Sequence, residues 1–311
     1  MIEIVRYTSN HETEWNNLIS TARNSSFLFN RNYLEYHSDR FHDYSFVFYK
    51  NGKIEAVLPG NIQGDVYYSH QGLTYGGLVS TTKVYTSDII EMFDLLGIEL
   101  LKLGVKEVIY KPIPLIYHRI PSQEDIYVLF LKNSVKIACN ISSTIYQDNR
   151  LKFTESRKSG LRKSIRENVK VEESDDLKSF WDILESNLIS KYDRKPVHTL
   201  EEIELLHNRF PNNIKLYIAK HESNTIGGTL LYLNEKVVHV QYISASILGK
   251  ELGALDLIFD TLINQVYSMT LVFDFGQSTE QAGRYLNQNL IFQKEGFGGR
   301  GIVYDIYKYS L

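Results

Sequence analysis

Two apolar stripes of helical period limit what this chain can fold into. In the first, Ile89, Met92, Phe93, Leu96, Leu100 and Leu103 fall on one face of a 3.6-residue repeat; in the second, Leu255, Ile258, Phe259, Leu262, Ile263 and Val266 do the same. Each stripe is followed by a short run of strand type, "KEVIYKP" after the first and "LVFDFG" after the second. A helix with one apolar face must bury it against another element, and the strand-type run after each stripe points to a sheet. Two such helix–strand units therefore predict two α/β modules.

The segments before each stripe also match. In the first half, "SNHETEWNNLI" carries the capping-box pair Ser9 and Glu12, and "RNYLEYHSD" predicts a second short helix. In the second half, "SDDLKSFWDILESNL" has Ser174 as N-cap candidate, and "HTLEEIELLHNRFP" pairs Thr199 with Glu202 and stops at Pro211. Strands follow in both: "YSFVFYKNGKIEAVLPG" and "DVYYSHQGLTYGGLVS" in one half, "IKLYIAKHESNTIGGTLLYL" and "KVVHVQYISAS" in the other. Both halves are predicted to close on tyrosine-rich strands, "EDIYVLFLK" and "GIVYDIYKY". The repeat is one of pattern rather than identity, with a boundary near the polar stretch "YQDNRLKFTES". It predicts domains at 1–150 and 151–311.

At 311 residues and 43% apolar side chains, the chain has ample core material for two domains. A net charge of −3 supplies no global field to gather nucleic acid, so such binding would need a local basic patch. The single cysteine excludes an internal disulfide and suits a reducing compartment. No apolar run approaches the roughly 20 residues that span a bilayer, and the first residues lack a signal-peptide shape. A cytoplasmic protein with no transmembrane segment is expected. Histidines are scattered, without metal-ligand spacing, so no metal is expected. Oligomeric state leaves no mark in the sequence.

Helix, helix, three strands, helix, strand, helix, strands is the element order of the GNAT acyltransferase fold. The whole chain resembles the tandem-GNAT, FemAB-like group, on four segments: "SRKSGLRKSIRENVKV", "GALDLIFDTLI", "FDFGQSTEQAG" and "LNQNLIFQKEGFGGRG". The resemblance implies two tandem GNAT-like domains, each a mixed, largely antiparallel sheet flanked by helices, with the second domain catalytic. It also implies acyl-CoA as co-substrate. Its pyrophosphate would sit where the family has Gln or Arg, two residues, Gly, one residue, then Gly or Ala; here Lys250 stands first, Gly253 and Ala254 follow, and the last position is Leu255. The strand "VVHVQYIS" is expected to splay from "LVFDFG", so that Gln241 and Tyr242 border a pantetheine arm.

Candidate catalytic residues follow from position and chemistry. In "AGRYLNQNL", read as a helix capped by Ser278 or Thr279, Tyr285 resembles the GNAT tyrosine that protonates the leaving thiolate. Presenting a neutral lysine-like amine at pH 7 costs about 4 to 5 kcal/mol, so a base is useful. His239, Asp274 and Glu280 are the candidates, and the sequence does not choose among them. The strand alternation sends His239 and Gln241 to one face.

Substrate contacts are expected from three places. The basic run in "SRKSGLRKSIREN" offers Arg162 and Arg166 to an anionic acceptor, or else forms a solvated helix face. The segment "YYSHQGLTYGG" offers His70, which matches Gln241 by the repeat, and Tyr75. The glycine-dense "KEGFGGRG", with Lys294 at its start, is placed to fold over a bound substrate. These readings converge on an N-acyltransferase acting on a small-molecule or cell-envelope precursor amine, such as an amino sugar. A FemAB-like transferase using aminoacyl-tRNA, and a catalytically silent module of polysaccharide biosynthesis, remain the alternatives.

Overall fold

The computed structural model describes residues 1–311, save the side chain of Tyr192. The chain divides into two compact units that are not contiguous in sequence: residues 1–140, 279–285 and 303–311 form the first, residues 141–278 and 286–302 the second. The fold is mixed α/β, as expected from the paired stripes.

In chain order the first unit begins with β1 (Ile2–Arg6), α1 (Glu12–Thr21) and α2 (Arg31–Leu34), then β2 (Phe46–Lys50), β3 (Lys53–Leu58), β4 (Asn61–Gln63), β5 (Val66–Tyr68) and β6 (Val79–Ser80). It continues through α3 (Thr86–Lys102), β7 (Glu107–Tyr110), α4 (Glu124–Leu131) and into β8 (Val135–Tyr146). Strands β1, β2, β3 and β6 form an antiparallel sheet, while β5 runs parallel to β7. The stripe of α3 buries Ile89, Met92, Phe93, Leu96 and Leu100 in one core with Phe46, Phe48, Leu58 and Tyr110. This is what the helical period required.

The second unit contains α5 (Glu155–Arg166), β9 (Lys170–Ser174), α6 (Leu177–Tyr192), α7 (Leu200–Arg209), β10 (Ile214–His221), β11 (Asn224–Leu233) and β12 (Val237–Ala245). Next come α8 (Ile247–Leu252), α9 (Ala254–Thr261) and β13 (Val272–Gln277); the chain then passes through the first unit's 279–285 segment, with the two-residue strands β14 (Thr279–Glu280) and β15 (Tyr285–Leu286), before α10 (Gln288–Gly296) and β16 (Arg300–Ser310). Its strand order is β8, β13, β12, β11, β10, β9; β12 and β13 pair in parallel, the other neighbours described are antiparallel. The stripe of α9 buries Ile258, Phe259, Leu262 and Ile263 against Phe273, Phe275 and Phe297. The end of β16 returns to the first unit and pairs antiparallel with β7, Tyr307 opposite Tyr110.

Several local expectations need correction. "EDIYVLFLK" is the helix α4, not a strand: Glu124 and Asp125 sit in its first turn, and Asp125, Val128 and Leu129 form a buried face at helical spacing. Tyr285 is not on a helix. Positive φ at Gln281, Ala282 and Gly283 (52°, 56° and 88°) breaks any helix there, and α10 starts only at Gln288, where the Asn287 side chain accepts from the Leu290 amide. Asp176, not Ser174, caps α6. The Thr199–Glu202 capping box forms at the start of α7. No helix among the described residues is long and apolar enough to cross a membrane.

Candidate active site

The feature that organises the second unit is where its parallel pair ends. Strands β12 and β13 pair only at Val237–Val272, Val238–Phe273 and His239–Asp274, although both continue beyond. Two irregularities start at that point. On β12, Leu231 faces Val240 and Leu230 faces Tyr242, so Gln241 is an extra residue bulged out of the ladder with β11. On β13, Asp274 faces Thr144 and Gln277 faces Ser142, so Phe275 and Gly276 oppose a single residue of β8. Gly276 supplies the left-handed φ of 73° that this kink needs, and a Cβ there would press on the His239 ring at 3.3 Å. The parallel strands therefore part just past His239, leaving backbone groups without a ladder partner.

His239 and Asp274 meet at the mouth of this gap. The imidazole Nδ1 lies 2.7 Å from Asp274 Oδ2, with the histidine side chain 13% exposed and the carboxylate fully buried. The other carboxylate oxygen accepts from Ser142 Oγ at 2.5 Å and Thr144 Oγ1 at 2.8 Å, both on β8. Burial alone would push the Asp274 carboxyl up. The bonds from His239, Ser142 and Thr144 outweigh it and hold its pKa below the ordinary value. An ionised Asp274 can only accept, so Nδ1 carries the proton and Nε2 is left as the basic nitrogen. Under the turn, the buried Lys294 ammonium donates to the carbonyls of Gly276 and Gln277, each at 2.8 Å, and desolvation brings its pKa down to about 8.

The remaining candidates are placed as follows. Gln241 is the bulged residue, partly exposed; Tyr242, beside it, has its hydroxyl 2.6 Å from His198 Nδ1, and burial pushes its phenol up to about 12. Lys250 donates to Asn187 Oδ1 at 2.9 Å. Gly253, with φ of 73°, packs so tightly on α5 that a Cβ would collide with the Gly160 carbonyl, and Ala254 is buried behind it. Arg162 and Arg166 are exposed on α5, near Glu155 and Glu167 respectively. Tyr285 and Glu280 lie in the first unit, both exposed. His70 and Tyr75 are also there, both buried: the His70 ring stacks on His37 at 4.9 Å between centroids, and the Tyr75 hydroxyl bonds Ser26. Among the described residues no group of three His, Cys, Asp or Glu is placed to hold a metal ion.

Ser142 and Thr144 were missed by sequence reasoning. Their alternate placement in "NISSTIY" was the available signal, since two hydroxyls on one face of a strand turn toward the same neighbour.

No family model matches the sequence, and no curated protein does. Solved structures do. The chain superposes on FemX with a TM-score of 0.70 at 11% identity, covering 99% of this chain and 97% of that one. It superposes on the C-terminal domain of a lysylphosphatidylglycerol synthetase from Agrobacterium fabrum with a TM-score of 0.64 at 9% identity, covering 96% and 91%. A tandem GNAT protein from the clavulanic acid pathway gives 0.51 at 10% identity, covering 100% and 98%. Over its whole length, this chain shares its fold with FemX and with that tandem GNAT protein.

Proposed function

We propose that the protein is an acyltransferase that moves an acyl group from an activated carrier to an amine, with the reaction at the parting of β12 and β13. The observation that carries this reading is the His239–Asp274 pair at the mouth of the gap. Asp274 holds the imidazole in one tautomer, and Nε2 takes the proton from the attacking amine as its nitrogen bonds to the acyl carbon. The carbon–sulfur or carbon–oxygen bond to the carrier then breaks, and the proton passes from His239 to the leaving thiolate or alkoxide. Unpaired backbone groups along β12 suit stabilisation of the oxyanion, an effect of about 3 kcal/mol for a single aimed donor.

For the carrier, acyl-CoA is the first reading, with a small-molecule or cell-envelope precursor amine as acceptor and the cytoplasm as the setting. One observation favours a second. The turn before α9, where a pyrophosphate would bind, is closed by the Gly253–Gly160 packing, and the first turn of α9 already holds the Asp256 carboxylate, paired with Arg157 at 2.9 Å. That arrangement supports a carrier gripped elsewhere, such as aminoacyl-tRNA, with Arg162 and Arg166 on α5 as phosphate contacts. The name of the lysylphosphatidylglycerol synthetase speaks of an aminoacylated product.

Titration calorimetry with acetyl-CoA and longer acyl-CoAs, beside filter binding of aminoacyl-tRNA at several salt concentrations, separates the two. Transfer from either carrier, lost in His239→Ala, supports the reading. Transfer from neither, with biological activity intact in His239→Ala, sinks it in favour of a silent binding module.

A further inference from the structure

The second unit carries a cavity of about 410 Å³ that the proposed reaction does not use. Its floor is apolar: Ile145, Ile263 and Phe297 are almost fully buried, and Leu151, Phe153 and Leu161 complete the wall. Its rim is cationic, with Arg150, Lys152 and Lys158 set against one acid, Asp260. The volume is in the range of small-molecule sites.

Local chemistry shapes the wall and rim of the cavity. The helix that continues α9 widens into a π-turn over Leu262–Val266, a form that leaves helix carbonyls without their usual partners and recurs at functional sites. The Ile263 carbonyl is instead bonded by Gln147 Nε2 at 3.0 Å and Arg150 Nη1 at 3.3 Å. Arg150 also bonds Asn264 Oδ1, and Asn264 in turn donates to Asp260, which fixes the guanidinium at the rim. Lys158 is paired with Glu155, whereas Lys152 is exposed and its ammonium has no partner among the described residues. One wall of the cavity is therefore greasy, and its entrance holds an uncommitted positive charge.

We propose that this cavity binds an anionic amphiphile, an acyl chain on the Ile145–Ile263–Phe297 floor with its carboxylate or phosphate at Lys152 and Arg150. Burial of the chain supplies affinity, and the rim selects the charged head over a neutral one. Free fatty acid and membrane lipid share this chemistry. The site does not depend on the proposed acyl transfer.

The test uses the full chain, with decanoate, decanol as the uncharged control, and vesicles of phosphatidylglycerol. Calorimetry is expected to show decanoate binding more tightly than decanol. Lys152→Glu, at a side chain without a protein partner, is expected to weaken decanoate about three- to tenfold while leaving decanol unchanged. Leu161→Trp fills the cavity and is expected to abolish both, with the thermal midpoint of each variant recorded to confirm folding. Vesicle co-sedimentation lost in both variants identifies the source as lipid; decanoate binding without co-sedimentation identifies it as free acid. Equal affinity for decanoate and decanol, binding that survives Leu161→Trp in a folded variant, or no binding to the wild-type chain overturns the proposal.

Discussion

Each unit has a parallel strand pair that parts, and the two units furnish the gap differently. In the first unit β5 follows β7 from Val66 to Tyr68, after which the chain turns away through His70 at a φ of 69°. The gap is then filled by the chain itself. Lys111 donates to the carbonyls of His70, Gln71 and Leu73 at 3.3, 3.2 and 2.8 Å, and the Ser69 hydroxyl accepts from the Lys111 amide. In the second unit the corresponding place holds a glycine and an imidazole whose Nε2 is not taken by Asp274. Both gaps hold a buried lysine spent on backbone carbonyls, Lys111 in one and Lys294 in the other; only the second adds a histidine oriented by a buried carboxylate, which leaves chemistry at its opening. The difference teaches that a repeated fold need not mean a repeated site.

The comparison breaks most plainly through His239. His239→Ala and Asp274→Asn are each expected to lower the transfer rate by about 10²- to 10⁴-fold, read in single-turnover assays, because the general base or its tautomer is lost. An unaffected rate would make the second gap as silent as the first. Lys111→Met should act the other way, costing about 1–3 kcal/mol in urea denaturation through buried carbonyls left unsatisfied, with turnover within about twofold of wild type. Loss of turnover with stability intact would put chemistry in the first gap too.

Smaller effects sharpen the contrast. Gly276→Ala places a side chain at positive φ and against the imidazole, so roughly 1–2 kcal/mol of stability should be lost together with a drop in kcat. The last effect is a pH slope. Burial holds the Lys111 pKa at about 8, below its ordinary 10.5, so the unfolded chain binds more protons between those values. Wild-type stability relative to Lys111→Met should therefore rise with pH from about 8 to 10.5, and fall back as pH drops through the folded value. Denaturation curves at several pH values give the sign directly.

The two long apolar stripes were legible because burial on one face imposes a period that the chain cannot hide. The stripes of α3 and α9 are of this kind, while the Thr199–Glu202 box was legible from a local three-residue spacing. "EDIYVLFLK" misled because tyrosine, valine and phenylalanine suit strands, while its buried face has only Asp125, Val128 and Leu129 at helical spacing. His239 and Asp274 could be named singly. Their contact could not, since it depends on which strands become neighbours across 35 positions of sequence. Ser142, Thr144 and Lys111 stayed unread for the same reason: hydroxyls and lysines acquire meaning only from the atoms brought opposite them.

The interleaved division of the chain has a consequence for its biosynthesis. Strand β7 receives Tyr307 to Ser310 as its neighbour, so the amino-terminal unit lacks an interior strand of its sheet until residues 307–310 have been made. Until then β7 presents open hydrogen-bonding groups, a template for pairing with other nascent chains. A truncation that removes residues 307–310 would thus injure the part of the molecule that was translated first.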